Sequence, residues 1–373
     1  MAGLKINVDE LDSDSDNAVL MFKEVLQFGE LTVSSDGLTT SRGQKYGLSP
    51  EDVLASTTGF LGRGSSGSVR RVTHRKTGKD LALKEIKLTG QSHFTEIKRE
   101  LETLHRGANP SPYLVDFYGA FCHEGSVFIA MECMDGSLDA VDSPVPVDVL
   151  ACVTRSILRS LFYLHKTRHL IHRDIKPNNI LYSCHGDIKI SDFGVSSCLE
   201  YTRGSALSFV GTLTYMSPER LKGESYSFSA DIWSLGLVVA ELALGSCPFA
   251  QKLSRSNGST EGRFWILLEH LNSDAPVITL PPSMDASLAD FISACIQRDP
   301  QERPSCDQLF RHPFVEGGDE MEDRRTIKEW ISSMHGESSV SRRFSVSLTS
   351  STHMRTGSEA SLNLDDELSK LIK

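Results

Sequence analysis

The chain has 373 residues, of which 39% are hydrophobic and 24% are charged, and its formal net charge at pH 7 is −10. This composition is typical of a globular protein, and the acidic balance argues against a protein that coats nucleic acid or an anionic membrane. The eight cysteines form no CxxC pair and no Cys/His cluster, which argues against a zinc site or a disulfide-dense secreted module. The N-terminus lacks a signal-peptide pattern, and no apolar stretch is long enough to predict a membrane span. We therefore expect a cytoplasmic protein with reduced thiols, and shuttling to the nucleus stays open.

Predicted strands come first along the chain. Residues 1–51 are predicted to form a regulatory N-terminal extension that is partly disordered, because the segment begins with a polar, acidic stretch. Within it, GELTVSSDGLTTS at 29–41 predicts two short strands around a Ser-Asp-Gly turn. Alternation of β-branched and polar residues from Phe60 to Leu88 predicts a strand meander, and VFIAMECM at 127–134 predicts a buried strand.

Helical patterns follow the strands. Apolar residues have helical spacing over 93–105, and helical patterns dominate the chain after residue 134. The polar segment 251–263 predicts a surface loop, and the serine-rich residues 316–373 predict a C-terminal tail that is mostly disordered. Strands before helices predict an α+β fold with two lobes: a small antiparallel sheet plus one helix, then a larger, mainly helical lobe.

A glycine-rich segment, GRGSSGSV at 62–69, lies between two predicted strands. Phosphate oxygens need close backbone N–H groups, and residues without Cβ allow that approach. The same spacing also occurs in ordinary hairpins, so the segment alone does not decide between the two. Because Ser68 and Val69 continue as a strand, a dinucleotide-binding fold is disfavoured.

Lys84 lies on the strand that follows the glycine-rich segment. Alone, a strand lysine is most simply a solvent-exposed side chain. After a phosphate-binding loop, however, it becomes a candidate cation for the nucleotide phosphates, and it then needs a carboxylate to hold it. Glu100, beside Ile97 and Leu101 on the predicted helix, is the preferred partner, and Glu96 one turn earlier is the alternative.

The strongest signal is a pair of motifs, HRDIKPNN at 172–179 and SDFG at 191–194. Asp174 can orient an attacking hydroxyl and accept its proton, while Lys176 can neutralise charge on a phosphoryl group in transit. Asn179 and Asp192 offer the hard oxygen ligands that Mg²⁺ prefers. A chance Asp-Phe-Gly is common in turns, but both motifs in this order after a glycine loop predict phosphoryl transfer.

On these motifs and three later ones, the chain resembles the eukaryotic protein kinases. The later motifs are SPE at 217–219, DIWSLG at 231–236 and RDPQERP at 298–304. The resemblance implies a protein kinase domain over 52–315, with the N-lobe at about 52–133 and the C-lobe at about 138–315. It also implies ATP as the phosphoryl donor and Mg²⁺ as the metal.

The resemblance further implies roles for individual residues. It implies catalytic roles for Lys84, Glu100, Asp174 and Lys176, and metal binding by Asn179 and Asp192. It implies that Glu219 pairs with Arg303 and that Asp231 anchors the catalytic loop. For ATP it implies the glycine loop, the residues around adenine and the gatekeeper segment: Leu61, Gly62, Arg63, Gly64, Ser65, Ser66, Gly67, Ser68, Val69, Ala82, Lys84, Met131, Glu132, Met134 and Leu181.

Within the protein kinases, the chain is similar to the MAP kinase kinases. The similarity lies in stretches such as SPYLVDFYGAF at 111–121, MECMDGSLD at 131–139 and SFVGTLTYMSPERLKG at 208–223. It implies a dual-specificity kinase that phosphorylates a threonine and a tyrosine in the activation loop of a MAP kinase. An upstream MAP kinase kinase kinase is the implied activator, and nucleic acid is not an expected partner. Two alternatives stay open: a pseudokinase or scaffold, and an upstream Ser/Thr kinase of the same cascade.

The segment between Asp192 and Glu219 contains several hydroxyl side chains. A phosphate there could pair with Arg173 and order the loop. The resemblance implies Ser208 as the second phosphoacceptor of the family. The first stays open between Thr202 and Ser205.

Overall fold

The computed structural model describes residues 6–7, 25–53, 57–63, 67–88, 97–98, 100–102, 111–141, 144–192, 213–254 and 260–344. Within these ranges the chain forms a sheet-rich N-terminal lobe and a mainly helical C-terminal lobe. The predicted α+β, two-lobed fold is therefore confirmed. None of the helices in this part of the chain combines the length and the apolarity needed to cross a membrane.

Residues 6–7 and 25–46 contribute a separate sheet of five strands, here called the N-terminal sheet. In spatial order its strands are β1 (Ile6–Asn7), β2 (Val25–Phe28), β3 (Leu31–Ser34), β4 (Gly37–Thr40) and β5 (Lys45–Tyr46). β1 pairs with β2 in parallel, and the other neighbours are antiparallel. The two strands predicted around the Ser-Asp-Gly turn are confirmed as β3 and β4. A short helix, α1 (Pro50–Val53), follows.

The sheet that carries Lys84 is antiparallel throughout. Its strands are β6 (Thr57–Arg63), β7 (Ser68–Thr73), β8 (Asp80–Lys87), β9 (Phe117–His123) and β10 (Ser126–Glu132), in the order β6-β7-β8-β10-β9. The predicted meander and the predicted buried strand are confirmed. Leu81 and Leu83 share one buried cluster with Leu48, whereas Ile86 and Ile129 belong to the main core. Burial on both faces explains why β10 is a nearly continuous apolar run from Val127 to Met131.

The helix that was predicted over 93–105 is described at five positions. Residues 97–98 and 100–102 are helical, and they are called the Glu100 helix below. Ile97 and Leu101 are fully buried, as the predicted apolar face requires.

The C-terminal lobe is built mainly from helices. They are α2 (Val147–Phe162), α3 (Pro218–Leu221), α4 (Ser229–Leu244), α5 (Ala250–Leu253), α6 (Thr260–Asn272), α7 (Ala286–Cys295), α8 (Cys306–Leu309) and α9 (Glu320–Phe344). Helix α4 is buried around most of its circumference, which is why its sequence is apolar on nearly every side. At Gly236 an added Cβ would lie 2.6 Å from the Cβ of Cys295, so this glycine permits the close approach of α4 and α7.

A small antiparallel sheet presents the catalytic motifs. Its strands are β11 (Gly136–Ser137), β12 (Ile180–Tyr182) and β13 (Ile188–Ile190). β12 begins directly after Asn179, and β13 ends two residues before Asp192. The hairpin of β12 and β13 therefore joins the two predicted metal ligands.

Two sequence predictions are wrong in part. Residues 251–253 and 260–263 were predicted as a loop but belong to α5 and α6; residues 255–259 lie outside the described part. The mostly disordered tail predicted from residue 316 includes the long helix α9. Its apolar side chains Ile327 and Ile331 are buried, and this tertiary burial stabilises a helix that its serine content disfavours.

An ion-pair cluster fixes α9 to α2. Asp323 is 1% exposed, and its carboxylate lies 2.8 Å from Arg155 Nε and 2.8 Å from Arg159 Nη2. Two cations on one buried carboxylate satisfy its hydrogen-bonding capacity, so removal of the carboxylate leaves both arginines without their partner.

We predict that Asp323→Asn lowers the free energy of unfolding by about 3–5 kcal/mol, because it removes the buried negative charge that compensates Arg155 and Arg159. Urea unfolding followed by circular dichroism measures this. The matched control is Glu322→Gln on the exposed side of the same helix, where the 3.2 Å pair with Arg325 is open to solvent. It should change stability by less than about 0.5 kcal/mol. Equal effects of the two variants would contradict the assigned role of Asp323.

Candidate active site

Lys84 lies at the centre of a buried group of charges. Its Nζ is 2.8 Å from Glu100 Oε1 and 3.1 Å from Asp192 Oδ1. The Lys84 side chain is 4% exposed and that of Glu100 is 2% exposed. Of the two carboxylates considered for Lys84, the structure thus places Glu100 in contact, while Glu96 lies outside the described residues. The β8 strand, the Glu100 helix and the end of the β12–β13 hairpin meet at this ammonium group.

The charges in this group stabilise one another. Burial alone would lower the pKa of Lys84, but the negative charges of Asp192 and Glu100 outweigh it and raise the pKa above its usual value. The positive charge of Lys84 is the main cause that holds the pKa of Asp192 below its usual value, against the opposing effect of burial. At neutral pH the lysine is therefore an ammonium ion and Asp192 is a carboxylate.

The glycine-rich segment lies at the junction of β6 and β7, where Gly62 pairs with Val69 and Arg63 pairs with Ser68. At Gly67 an added Cβ would lie 1.8 Å from the carbonyl oxygen of Glu85, so glycine is required there by the packing of β7 on β8. Gly62 has open space around its missing Cβ, which agrees with a surface left clear for a ligand. Gly64, Ser65 and Ser66 lie outside the described residues.

The residues predicted around adenine lie on neighbouring elements. Ala82 on β8 pairs with Met131 on β10, and both are buried. Val69 pairs with Lys84 across β7 and β8, and Leu61 is 43% exposed at the start of the hairpin. Ala82, Met131 and Val69 thus share the face of the sheet that carries Lys84 and place an apolar surface beside it.

The chain around the end of β10, from Glu132 to Met134, is held by hydrogen bonds and burial. The N–H of Glu132 donates to the carbonyl oxygen of Asp116 at 2.9 Å, so this N–H is already engaged. Its carboxylate accepts from Lys189 Nζ at 2.7 and 2.8 Å, an ion pair that sequence reasoning missed. Met134 is buried, and Leu181 on β12 lies opposite Ser137 on β11.

The catalytic motif brings its predicted residues into contact. Asp174 Oδ2 is 2.9 Å from Lys176 Nζ, and Asn179 Nδ2 donates to the same oxygen at 2.9 Å. Asn179 Nδ2 also donates to the Asp174 carbonyl oxygen at 2.8 Å. With its amide nitrogen held in this way, Asn179 has its amide oxygen as the atom that can serve as a metal ligand. This oxygen and the ionised Asp192 fit the hard-oxygen preference of Mg²⁺.

Asp231 holds the backbone of the catalytic motif. Its carboxylate accepts from the backbone N–H groups of His172 and Arg173, both at 2.8 Å, and lies 2.8 Å from His165 Nε2. Arg173 has a φ of 75°, a left-handed conformation that costs energy for a residue with a side chain. The buried hydrogen bonds to Asp231 compensate that cost and fix the position of Asp174.

Both ring nitrogens of His172 have defined partners. His172 Nε2 lies 2.9 Å from the carbonyl oxygen of Ser191, and its Nδ1 accepts the N–H of Asp174 at 3.2 Å. A ring that donates from Nε2 and accepts at Nδ1 is neutral. The pKa of His172 is lowered, mainly because burial disfavours the charged ring, and this agrees with a neutral imidazole. The ring links the Asp174 motif to the residue before Asp192.

A further ion pair joins α3 to the segment that precedes α8. Arg303 binds Glu219 through two parallel hydrogen bonds of 2.7 and 2.8 Å. Its remaining N–H groups donate to the carbonyl oxygens of Gln297, Ser229 and Arg298. The guanidinium carbon also lies 5.0 Å from the ring centroid of Trp233. The pairing implied by the resemblance is thus present in the structure.

Ser208, Thr202 and Ser205 lie outside the described residues, and their roles stay predictions. Sequence reasoning also missed His165. A histidine seven residues before the HRD motif, spaced four and seven residues after the apolar Leu161 and Leu158, was the available signal.

Comparisons with known proteins give the same class as the geometry. The family model for the protein kinase domain matches residues 56–315. Mitogen-activated protein kinase kinase 5 of Leishmania mexicana is 59% identical over 320 residues, which are 84% of this chain and 60% of that relative. Mitogen-activated protein kinase kinase 1c of Physcomitrium patens is 40% identical, with 70% of this chain and 77% of the relative covered. Mitogen-activated protein kinase kinase 1 of Arabidopsis thaliana is 38% identical, with 77% and 84% covered.

The domain match and the arrangement of Lys84, Asp174 and Asp192 place the chain among the protein kinases. Within them, it belongs to the MAP kinase kinase family, because the Physcomitrium and Arabidopsis relatives are covered over most of their length. The chain spans about 60% of the length of the Leishmania relative.

We predict that Glu219→Gln removes a part of the stability that depends on pH. Burial would raise the pKa of Glu219, but the hydrogen bonds and charge of Arg303 outweigh it and lower the pKa below its usual value. Because the pKa is lower in the folded state, the ionised Glu219 carboxylate stabilises the fold at pH values above the unfolded-state pKa of about 4.5. This stabilisation is lost as the pH falls through the folded-state pKa.

The unfolding free energies of wild type and Glu219→Gln should therefore differ most at neutral pH and converge below about pH 4.5. Chemical denaturation across this pH range measures the difference. A constant difference at all pH values would show that the carboxylate charge is not what stabilises this region.

Proposed function

We propose that this chain is an ATP-dependent, dual-specificity protein kinase that phosphorylates a threonine and a tyrosine in the activation loop of a MAP kinase. The observation that carries the proposal is the convergence of Lys84, Glu100 and Asp192, next to a second group formed by Asp174, Lys176 and Asn179. Membership of the MAP kinase kinase family supports the choice of substrate.

The mechanism follows from what each side chain can do. The apolar surface of Ala82, Val69 and Leu181 suits the purine, and the Glu132 carbonyl and Met134 N–H suit its polar edge. Lys84, oriented by Glu100, carries a fixed positive charge for the phosphates. Because this ammonium group is buried and held by an ion pair, it stabilises phosphate charge without reorganisation.

Asn179 and Asp192 would hold Mg²⁺, which when bound neutralises charge on the phosphate oxygens. Asp174 accepts a hydrogen bond from the substrate hydroxyl and directs it to the γ-phosphorus. Lys176, 2.9 Å from Asp174, stabilises the negative charge that develops on the transferred group. Asp231 keeps this loop in place through the backbone of His172 and Arg173.

Phosphorylation at Ser208, together with Thr202 or Ser205, would place a phosphate near Arg173, which is held in its strained conformation by Asp231. An upstream MAP kinase kinase kinase would add these phosphates. We propose a cytoplasmic location with access to the nucleus, because the chain lacks the cysteine pattern of a secreted protein.

We predict that Lys84→Met lowers kcat for phosphoryl transfer by at least about 100-fold, because a charge aimed at the phosphates is lost. A radiometric kinase assay with a MAP kinase as substrate measures this, and circular dichroism checks that the variant is folded. The matched control is Lys87→Met, an exposed position on the same strand, which should retain wild-type activity. Wild-type turnover by Lys84→Met would refute the role assigned to Lys84.

The substrate is tested with a panel of catalytically inactive MAP kinases, incubated with the Ser208→Glu form and ATP. We expect phosphate on both residues of a Thr-x-Tyr motif, identified by mass spectrometry. Phosphorylation of another kinase kinase at serine or threonine alone would favour the upstream-kinase alternative. No transfer to any protein, with nucleotide still bound, would favour the pseudokinase.

A further inference from the structure

The N-terminal sheet lies outside the matched kinase domain, yet it contacts the helix that carries Glu100. Gly29 is in the turn between β2 and β3 and has a φ of 57°. A Cβ placed on Gly29 would lie 3.5 Å from Glu102 Oε1 and 3.8 Å from Lys98 Cε. The turn therefore packs directly against the Glu100 helix.

The contacted face of that helix points away from the active site. An α-helix turns roughly 100° per residue, so Lys98 and Glu102 lie about 160–200° around the helix from Glu100. The side chains that flank the turn, Phe28 and Leu31, are 0% and 2% exposed. They belong to the same large buried core as Ile97 and Leu101. The turn at Gly29 thus lies on the side of the helix opposite Glu100, which faces Lys84.

The other end of the N-terminal sheet is attached to the sheet that carries Lys84. Cys122 Sγ on β9 donates to the carbonyl oxygen of Val33 at 3.7 Å, and the rings of Tyr46 and Phe117 have centroids 5.4 Å apart. At Gly119, with a φ of 149°, an added Cβ would lie 3.2 Å from Tyr46 Cβ. The N-terminal sheet therefore spans from β9 to the Glu100 helix.

We propose that the N-terminal sheet positions the Glu100 helix for catalysis: it sets the distance between that helix and β8 at which Lys84 and Glu100 pair. Leu31 is the positioning residue at the helix end of the sheet. The inference rests on the proposed kinase activity, since the ion pair serves phosphoryl transfer. The N-terminal sheet therefore supports activity: without its contact at Gly29, the Glu100 helix can move away from Lys84, and the rate of phosphoryl transfer falls.

The chain offers a matched pair of variants for the test. Leu31→Ala and Leu38→Ala remove the same atoms from two buried positions of the N-terminal sheet. Leu31 adjoins the turn at the Glu100 helix, whereas Leu38 pairs with Val33 and Tyr46 at the β9 end. Both variants lose packing, but only Leu31→Ala removes support at the helix.

ATP hydrolysis by the enzyme alone is measured at a temperature where circular dichroism shows both variants folded. We expect Leu31→Ala to lower kcat by about 10- to 100-fold, Leu38→Ala to lower it by less than about twofold, and the volume-conserving Leu31→Met to retain activity. In a Glu100→Gln background, Leu31→Ala should add less than about twofold, because both changes act through one ion pair. Equal losses for the two alanine variants, or an undiminished loss in the Glu100→Gln background, would overturn the proposal.

Amide hydrogen exchange of residues 93–105 provides a readout that needs no activity. Leu31→Ala should accelerate exchange in this peptide about tenfold relative to Leu38→Ala. If the wild type does not turn over ATP but this difference is present, the kinase proposal fails and the structural coupling stands. If the wild type is active and the exchange rates are equal, the coupling fails by itself. Should either alanine variant not fold, Leu31→Val and Leu38→Val repeat the comparison.

Discussion

The buried ammonium group of Lys84 is the constraint on which the site depends. A cation removed from water must be compensated nearby, since its desolvation costs several kcal/mol. Compensation comes from two carboxylates on different elements, Glu100 on its helix and Asp192 after β13. One charge therefore joins the N-terminal lobe sheet, its helix and the hairpin of the C-terminal lobe. The same charge is what the phosphates require, so stability and catalysis depend on one arrangement.

A second constraint acts on the catalytic loop. The loop has little regular structure of its own, and Arg173 adopts a left-handed conformation in it. Asp231, at the start of the buried helix α4, supplies an anchor that is itself surrounded by the main core. The loop is thus held by hydrogen bonds from a rigid helix instead of by local propensity. This explains why Asp174 keeps a defined position although it follows a strained residue.

Much of the fold and the site could be predicted from sequence, because several signals agreed. The strands β3 and β4 combined alternation with a turn motif, and Glu100 was the carboxylate beside an apolar helical face. Other contacts depend on distant segments, and no local pattern indicates them. Lys189 and Glu132 are 57 positions apart, and Asp323 is 168 positions from Arg155. These pairs form only where the folded chain brings the distant segments together.

The segment at residues 316–344 shows how composition can mislead. Its serines favoured disorder, but Ile327 and Ile331 are spaced for one helical face, and acidic residues occupy the first turn of α9. For anyone preparing this protein, the boundary at residue 315 suggested by family resemblance is therefore a poor place to truncate. A shortened chain would expose the apolar surface of α2 and leave two arginines beside it without an acid, which favours aggregation over a compact domain.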